Sequence, residues 1–153
     1  MAKQPEARAF VDPLQDFVGY QLRRASAAVM TELAADLAAE NISVVSAAVL
    51  LIIDANPRET QARIGRELSI KRANIAPMIA KLEEGGLIER DTIDGRSFGL
   101  ATTARGKLLA ARLMEILLAR EARLFGPTDS VEYTQLRRQL EGIRARIGND
   151  RRD

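Results

Sequence analysis

The segment TQARIGRELSIKRANIAPMIAKLEEGGLIERDTIDGRSFGLATTARG, which runs from Thr60 to Gly106, decides how this chain folds. It contains two short stretches in which apolar residues have helical spacing, separated by a tight break at Ser69 and Ile70. A double glycine follows the second stretch and leads into two extended runs, which are joined by a turn at Asp94-Gly95. Two helices, a turn and a hairpin in this order predict a helix-turn-helix with a β-wing, a module that binds double-stranded DNA.

The two predicted helices of this module have different roles. Thr60 is a suitable N-cap for the first helix, in which Ile64 and Leu68 point inward at an i, i+4 spacing. The second is the candidate recognition helix, and Gly85 and Gly86 are expected to end it in the left-handed conformation. Its predicted buried face consists of Ile75, Met78, Ile79 and Leu82.

Polar side chains cluster at the N-terminal end of the recognition helix. Lys71 and Arg72 can donate to O6 and N7 of guanine, and Asn74 can pair with N6 and N7 of adenine. Asn74 could instead be a local cap or a solvated helix residue. Thr60 and Gln61, where the first helix of the module starts, are also predicted to bind DNA.

Two further residues of the module bear on how it meets DNA. Arg96 follows the hairpin turn, where a guanidinium can insert into the minor groove. Asp91 or Asp94 could pair with Arg96 and hold its direction, although either carboxylate could serve turn geometry alone. Pro77 lies inside the recognition helix. It either sets the angle at which the N-terminal turn of the helix meets DNA or is a tolerated kink.

Composition narrows the classes of function. The 153 residues carry a net charge of +2, but residues 57–112 hold 11 Lys and Arg against 7 Asp and Glu, as a phosphate-binding surface requires. A solvated surface of mixed charge is the alternative explanation. The chain has no Cys and no His, which removes disulfides, thiolate metal sites and His-based catalysis. We therefore expect no enzymatic activity, no cofactor and no metal site.

The N-terminal region predicts neither a leader nor a membrane span, so we expect a cytoplasmic protein. An apolar stripe from Leu14 to Leu37 predicts a long first helix, and Ser43 is a plausible N-cap for a second, core helix. Thr102 or Thr103 is expected to cap a long helix after the wing. Asp129 with Glu132 resembles a capping box for the last helix. These flanking helices carry more apolar surface than one small domain can bury, which favours packing against a second copy.

The predicted fold class is mainly α (α+β), a winged helix-turn-helix with long N- and C-terminal dimerisation helices. We divide the chain into an N-terminal arm and dimerisation helix (residues 1–40), the DNA-binding domain (residues 41–102) and the C-terminal dimerisation helices (residues 103–153).

The wing sequence resembles that of the MarR family of bacterial regulators, which reads as Asp, any residue, Arg, a short strand, then Leu-Thr and Gly. Asp94, Arg96, Thr103 and Gly106 fall on this spacing, although Thr102 replaces the usual leucine. The segment KLEEGGLIER, residues 81–90, is similar to the helix end and first wing strand of the family. The order of the outer helices also matches, and GYQLRRA, residues 19–25, resembles the first helix of many members.

The resemblance implies a homodimer that binds a palindromic DNA operator and represses transcription until a small molecule releases it. In many members the effector is an aromatic carboxylate or a related thioester. The corresponding candidates for effector binding are Tyr20, Arg23 and Arg24, which could instead pack and pair with nearby acidic groups. The alternative function is a winged-helix protein-interaction module that does not read DNA.

Overall fold

The computed structural model describes residues 10–94 and 97–149, in which six helices and one β-hairpin occur. The elements in chain order are α1 (Val18–Ala38), α2 (Val44–Ala55), α3 (Gln61–Glu67), α4 (Arg72–Glu84), β1 (Ile88–Asp94), β2 (Ser97–Thr102), α5 (Ala104–Phe125) and α6 (Val131–Asn149). They form two compact units, of which the first ends at Val44 and the second begins at Val45. Within these ranges, no helix has the length and apolar character needed to span a bilayer. The predicted winged-helix fold class is confirmed.

In the first unit, α1 starts at Val18, so the expectation that the helix begins at Leu14 was wrong. The Asp12 carboxylate accepts a hydrogen bond from the Leu14 amide at 3.0 Å, and the Phe17 amide donates to the Leu14 carbonyl. This turn competes with the first helical turn and holds Phe17 in an extended conformation. Most of the apolar stripe of α1 is exposed, and its one buried residue is Leu37.

The core of the second unit forms around α2, which is apolar on nearly all sides as predicted and ends just before Asn56 and Pro57. Its buried residues include Val49, Leu50 and Ile53, none of which has measurable exposure. The other large buried side chains come from every remaining element except α6, namely Ile64, Ile75, Ile79, Leu82, Ile88, Leu100 and Leu113. The predicted inner face of the recognition helix is therefore confirmed for three of its four residues, while Met78 is half-buried.

Local side-chain chemistry sets the helix ends inside the DNA-binding module. The Thr60 hydroxyl accepts a hydrogen bond from the Arg63 amide, which confirms Thr60 as the N-cap of α3. At the end of α4 only Gly86 is left-handed, with φ of 65°, whereas Gly85 keeps a helical φ of −71°. The Leu87 amide donates to the Leu82 carbonyl across this cap, the hydrogen bond of a Schellman motif.

The wing is an antiparallel hairpin in which Ile88 pairs with Thr102, and its register is irregular between Thr92 and Asp94. A short bridge from Glu59 to Leu100 extends it on the far side of β2. A Cβ atom on Gly99 would overlap the Arg58 carbonyl, so a larger residue cannot occupy this position without displacing the bridge.

The last two helices begin at hydroxyl caps. The Thr103 hydroxyl accepts from the Gly106 amide and caps α5, which decides between Thr102 and Thr103. The cap of α6 is Ser130, whose hydroxyl accepts from the Tyr133 amide, so the capping box assigned to Asp129 was wrong. Asp129 lies within a turn closed by the Ser130 amide and the Pro127 carbonyl, which delays the helix by one residue.

Gly106 has no room for a side chain, because an added Cβ would overlap the backbone carbonyl of Leu87. We expect Gly106→Ala to lower the free energy of unfolding by about 3 kcal/mol or more, since backbone must move to accept the methyl group. Gly142 on α6 is the matched control, because its nearest neighbour would be an Arg146 side-chain atom at 3.6 Å. Gly142→Ala should raise stability by about 0.5–1 kcal/mol through helix propensity. Urea denaturation at one protein concentration measures the free energy of unfolding of both variants. Equal changes in Gly106→Ala and Gly142→Ala would contradict this prediction.

Candidate nucleic-acid interface

The start of α4 presents the residues that were predicted to read DNA bases. Lys71 is its N-cap residue and makes no side-chain capping bond, so the first helical N–H groups keep their capacity to donate to an anion. Lys71, Arg72 and Asn74 are all exposed, while Ile75 is 1% exposed and anchors this turn to the core. Within residues 10–94 and 97–149 the Asn74 side chain has no hydrogen-bond partner, which disfavours the local-cap alternative. Base reading by these three residues stays a prediction.

Apart from the charged Lys81 and Glu84 near its C-terminal end, the rest of the exposed face of α4 is built from small apolar side chains, which the sequence analysis did not single out. Ala73, Ala76, Pro77 and Ala80 are all exposed. Small residues let the helix backbone approach base edges closely, and their methyl groups can contact the methyl group of thymine. Pro77 does not end the helix, which continues to Glu84.

Thr60 and Gln61 lie half-buried where α3 begins. They line a groove of about 500 Å³ together with the first residue of α4, Arg72, and an aromatic residue of the wing, Phe98. The structure thus places Thr60, Gln61 and Arg72 around one groove with Phe98, which lies near the turn of the wing. Their contacts with DNA stay predictions.

An ion pair that sequence reasoning missed joins the first strand of the wing to the segment before α3. Asp91 accepts a hydrogen bond from Arg58 Nε at 2.7 Å, and this bond together with the carboxylate charge raises the pKa of Arg58. Arg58 also has a left-handed backbone, with φ of 69°. Arg96 and the side chain of Asp94 lie outside the described residues, so the pairing proposed for them stays a prediction.

The candidate effector residues of α1 are close together. The Tyr20 hydroxyl donates to Asp12 at 3.0 Å, and the guanidinium carbons of Arg23 and Arg24 lie 5.2 and 5.7 Å from the centre of its ring. Arg24 also forms an ion pair with Asp12 at 3.9 Å. An aromatic ring, two guanidinium groups and one carboxylate therefore lie close together, and the Arg24–Asp12 ion pair is of the kind that the alternative explanation of these residues predicts. Effector binding by them stays a prediction.

Comparison with known proteins places this geometry in a family. The sequence model of the MarR family matches residues 42–98. The transcriptional repressor CouR, solved bound to a 23-mer DNA duplex, is 30% identical, and the match covers 93% of this chain and 99% of CouR with a TM-score of 0.74. The chain belongs to the MarR family.

Other MarR-family proteins have similar sequences and structures. The HTH-type transcriptional repressor Rv2887 of Mycobacterium tuberculosis is 27% identical over 135 residues, which are 87% of this chain and 94% of the repressor. Rv2887 has been solved with DNA, at a TM-score of 0.67, 25% identity and coverage of 82% and 96%. It has also been solved with salicylic acid, at a TM-score of 0.65, 26% identity and coverage of 82% and 95%. A MarR-family regulator from Rhodococcus sp. RHA1 is 25% identical, with coverage of 87% and 97% and a TM-score of 0.76.

Thr102 departs from the leucine that is usual at this place in the MarR wing. It is 8% exposed, and its hydroxyl donates to the Asp54 carboxylate of α2 at 2.8 Å. A buried hydroxyl is tolerated when it has a partner of this kind, so Asp54 accounts for the departure.

Several contacts join the end of the recognition helix to the start of α5, a region that we call the α4–α5 joint (residues 85–87 and 103–106). The Thr103 hydroxyl donates to the Gly86 carbonyl at 2.7 Å and the Thr103 amide donates to the Leu87 carbonyl at 3.1 Å. Arg105 donates to the Gly85 carbonyl at 3.1 Å. The carboxyl end of the MarR recognition helix is thereby attached to a different helix.

Replacement of Thr103 by Ala should lower the free energy of unfolding by about 1–2 kcal/mol, because α5 loses its cap and the Gly86 carbonyl loses a donor. Thr103→Ser keeps the hydroxyl and should cost less than half as much. Denaturation curves of the wild type, Thr103→Ala and Thr103→Ser measure the three free energies of unfolding. Equal losses in the Ala and Ser variants would show that the methyl group, and not the hydroxyl, holds the joint.

Proposed function

We propose that this protein is a homodimeric transcriptional repressor, which binds a palindromic DNA operator and is released from it by a small aromatic acid or a related thioester. The observation that carries this proposal is the exposed, uncapped start of α4 with Lys71, Arg72 and Asn74, set in the winged helix-turn-helix of a MarR-family protein. Two similar repressors, Rv2887 and CouR, have been solved bound to DNA, which supports the assignment.

Exposed apolar surface supports the homodimer. The helices on both sides of the DNA-binding module carry large apolar side chains that one copy leaves exposed, for example Leu22 and Met30 on α1, Leu118 on α5, and Leu136 and Leu140 on α6. Extensive apolar surface of this kind marks an interaction site. We assign dimerisation to residues 1–40 and 103–153 and DNA binding to residues 41–102. In a dimer the two recognition helices meet half-sites about 34 Å apart, one turn of DNA.

The proposed location is the cytoplasm, and the proposed role involves no catalysis. A chain without Cys and His lacks thiol nucleophiles and the commonest general base, which fits a regulator that acts by binding alone.

Asn74→Ala should weaken binding to the operator by about 5- to 150-fold, the discrimination that one bidentate base contact supplies. Binding to a scrambled duplex should change little, because Asn74 carries no charge. An operator can be isolated by selection from random duplexes, and fluorescence anisotropy then measures both affinities. Arg96→Ala should weaken binding in the same assay, and size-exclusion chromatography should show that both variants remain dimers.

Arg138→Gln is the matched control, since this exposed arginine of α6 lies opposite the apolar stripe of the helix. Unchanged operator binding by the Asn74→Ala, Arg96→Ala double variant would refute the assigned reading residues. Failure of the wild-type protein to select any duplex would favour the protein-interaction module instead.

The proposed effector site is formed by Tyr20, Arg23 and Arg24, and the complex of Rv2887 with salicylic acid supports the ligand class. Salicylate at 100 times its Kd should stabilise the protein by about 2.7 kcal/mol and release the operator. Arg23→Gln and Arg24→Gln should each weaken both effects, because a guanidinium binds a carboxylate strongly. Thermal shift and DNA release measure the two effects, with salicylamide as the uncharged control ligand. Full response in the Arg23→Gln, Arg24→Gln double variant would place the effector elsewhere.

A further inference from the structure

The groove between the helices and the wing, called here the wing groove, contains residues that no base-reading role explains. Its rim consists of Thr60, Gln61 and Arg66 from the α3 region, Arg72 from α4 and Phe98 from β2. Its floor is apolar and includes Ile70 and Ile75. The combination of a basic rim, hydroxyl and amide groups and an apolar floor fits a ligand with an anionic and an apolar part.

Charge pairing distinguishes the two arginines of the wing groove from others nearby. Arg58 pairs with Asp91, Arg63 with Glu59 at 2.9 Å, and Arg90 with Glu83 through two hydrogen bonds of 2.8 and 3.0 Å. Across the described part of the chain, neither Arg66 nor Arg72 takes part in an ion pair, and no acidic residue lines the groove. The groove therefore keeps an uncompensated positive charge next to the recognition helix.

Phe98 is the second feature of this groove that bears on its occupant. It occupies β2 opposite Thr92, and 58% of its surface is exposed. A single exposed apolar residue is ordinary. This one, however, faces the same groove as the two arginines, so any anion that they bind lies beside an aromatic ring.

The shape of DNA identifies the occupant. When a recognition helix lies in the major groove and a wing reaches the adjacent minor groove, the strand that separates these grooves must pass between the helix and the wing. Resting on the proposed function, we infer that the wing groove receives this sugar-phosphate strand. Phe98 packs against a deoxyribose and Arg66 binds a phosphate, while the residues of α4 read bases. Both contacts are independent of sequence.

The Phe98 contact is tested with Phe98→Ala, with Phe98→Tyr as the variant that keeps the ring. Phe98→Ala should bind the operator and a scrambled duplex about tenfold more weakly, with an unchanged salt dependence, because it loses apolar contact but no charge. Phe98→Tyr should bind within twofold of wild type. Hydroxyl-radical footprinting, which reports access to deoxyribose, should show lost protection at the strand between the major- and minor-groove contacts in Phe98→Ala alone.

The Arg66 contact is tested with Arg66→Gln, and Arg138→Gln is again the matched control. Arg66→Gln should weaken binding to every duplex and reduce the slope of log K against log salt by about 0.9 for each protomer. Arg138→Gln should leave the slope unchanged.

The inference fails separately from the proposed function. If wild type binds the operator and Asn74→Ala impairs it, but Phe98→Ala and Arg66→Gln bind as wild type, the strand does not lie in the wing groove. A variant Phe98→Ala that binds DNA normally but no longer responds to salicylate would show that the groove holds the effector. If wild type binds no DNA, the proposed function itself is wrong.

Discussion

The attachment of the recognition helix to α5 is the constraint on which the DNA-binding surface depends. The carbonyls that end α4 accept hydrogen bonds from Thr103 and Arg105, and Gly106 lets the Leu87 carbonyl approach the first turn of α5. These groups would otherwise be exposed carbonyls of a frayed helix end. The direction of α4 is therefore tied to α5, a helix that we assign to the dimer. A change at the dimer that rotates α5 would move the end of α4 with it.

Sequence reasoning was reliable where one side chain decides the local structure. Thr60 was identified as a cap, and the cap of α5 was narrowed to Thr102 or Thr103, because a hydroxyl before a helical stretch has few other uses there; Thr60 and Thr103 cap their helices. It was wrong where a turn competes with a helix. The residues after Asp12, which were expected to begin α1, form a turn instead. The turn from Pro127 to Ser130 moves the cap of α6 by one residue.

Tertiary pairing was beyond the sequence patterns. Arg58 and Asp91 are 33 residues apart, and so their ion pair has no periodicity or motif to mark it. Asp54 and Thr102 are 48 residues apart in the sequence. Their hydrogen bond gives the Thr102 hydroxyl a partner at a position where the family usually has leucine. The exposed position of Lys71, Arg72 and Asn74 was predictable because a helix start with basic and amide side chains is itself a local pattern, while their reading of bases stays a prediction. The wing groove was not predictable, because its two sides meet only in the folded chain.

Pro77 divides the recognition helix into two halves that are held in place to different extents. The residue carries no amide hydrogen, so the Ala73 carbonyl cannot receive the hydrogen bond that the sixth helical residue would donate. The half that follows is anchored by Ile79 and Leu82, whereas the first turn, with Arg72 and Asn74, relies mainly on Ile75. We expect this turn to sample more conformations before binding than after it. The entropy it loses on binding subtracts from affinity for every duplex, so tight binding requires a sequence whose base contacts compensate for that loss.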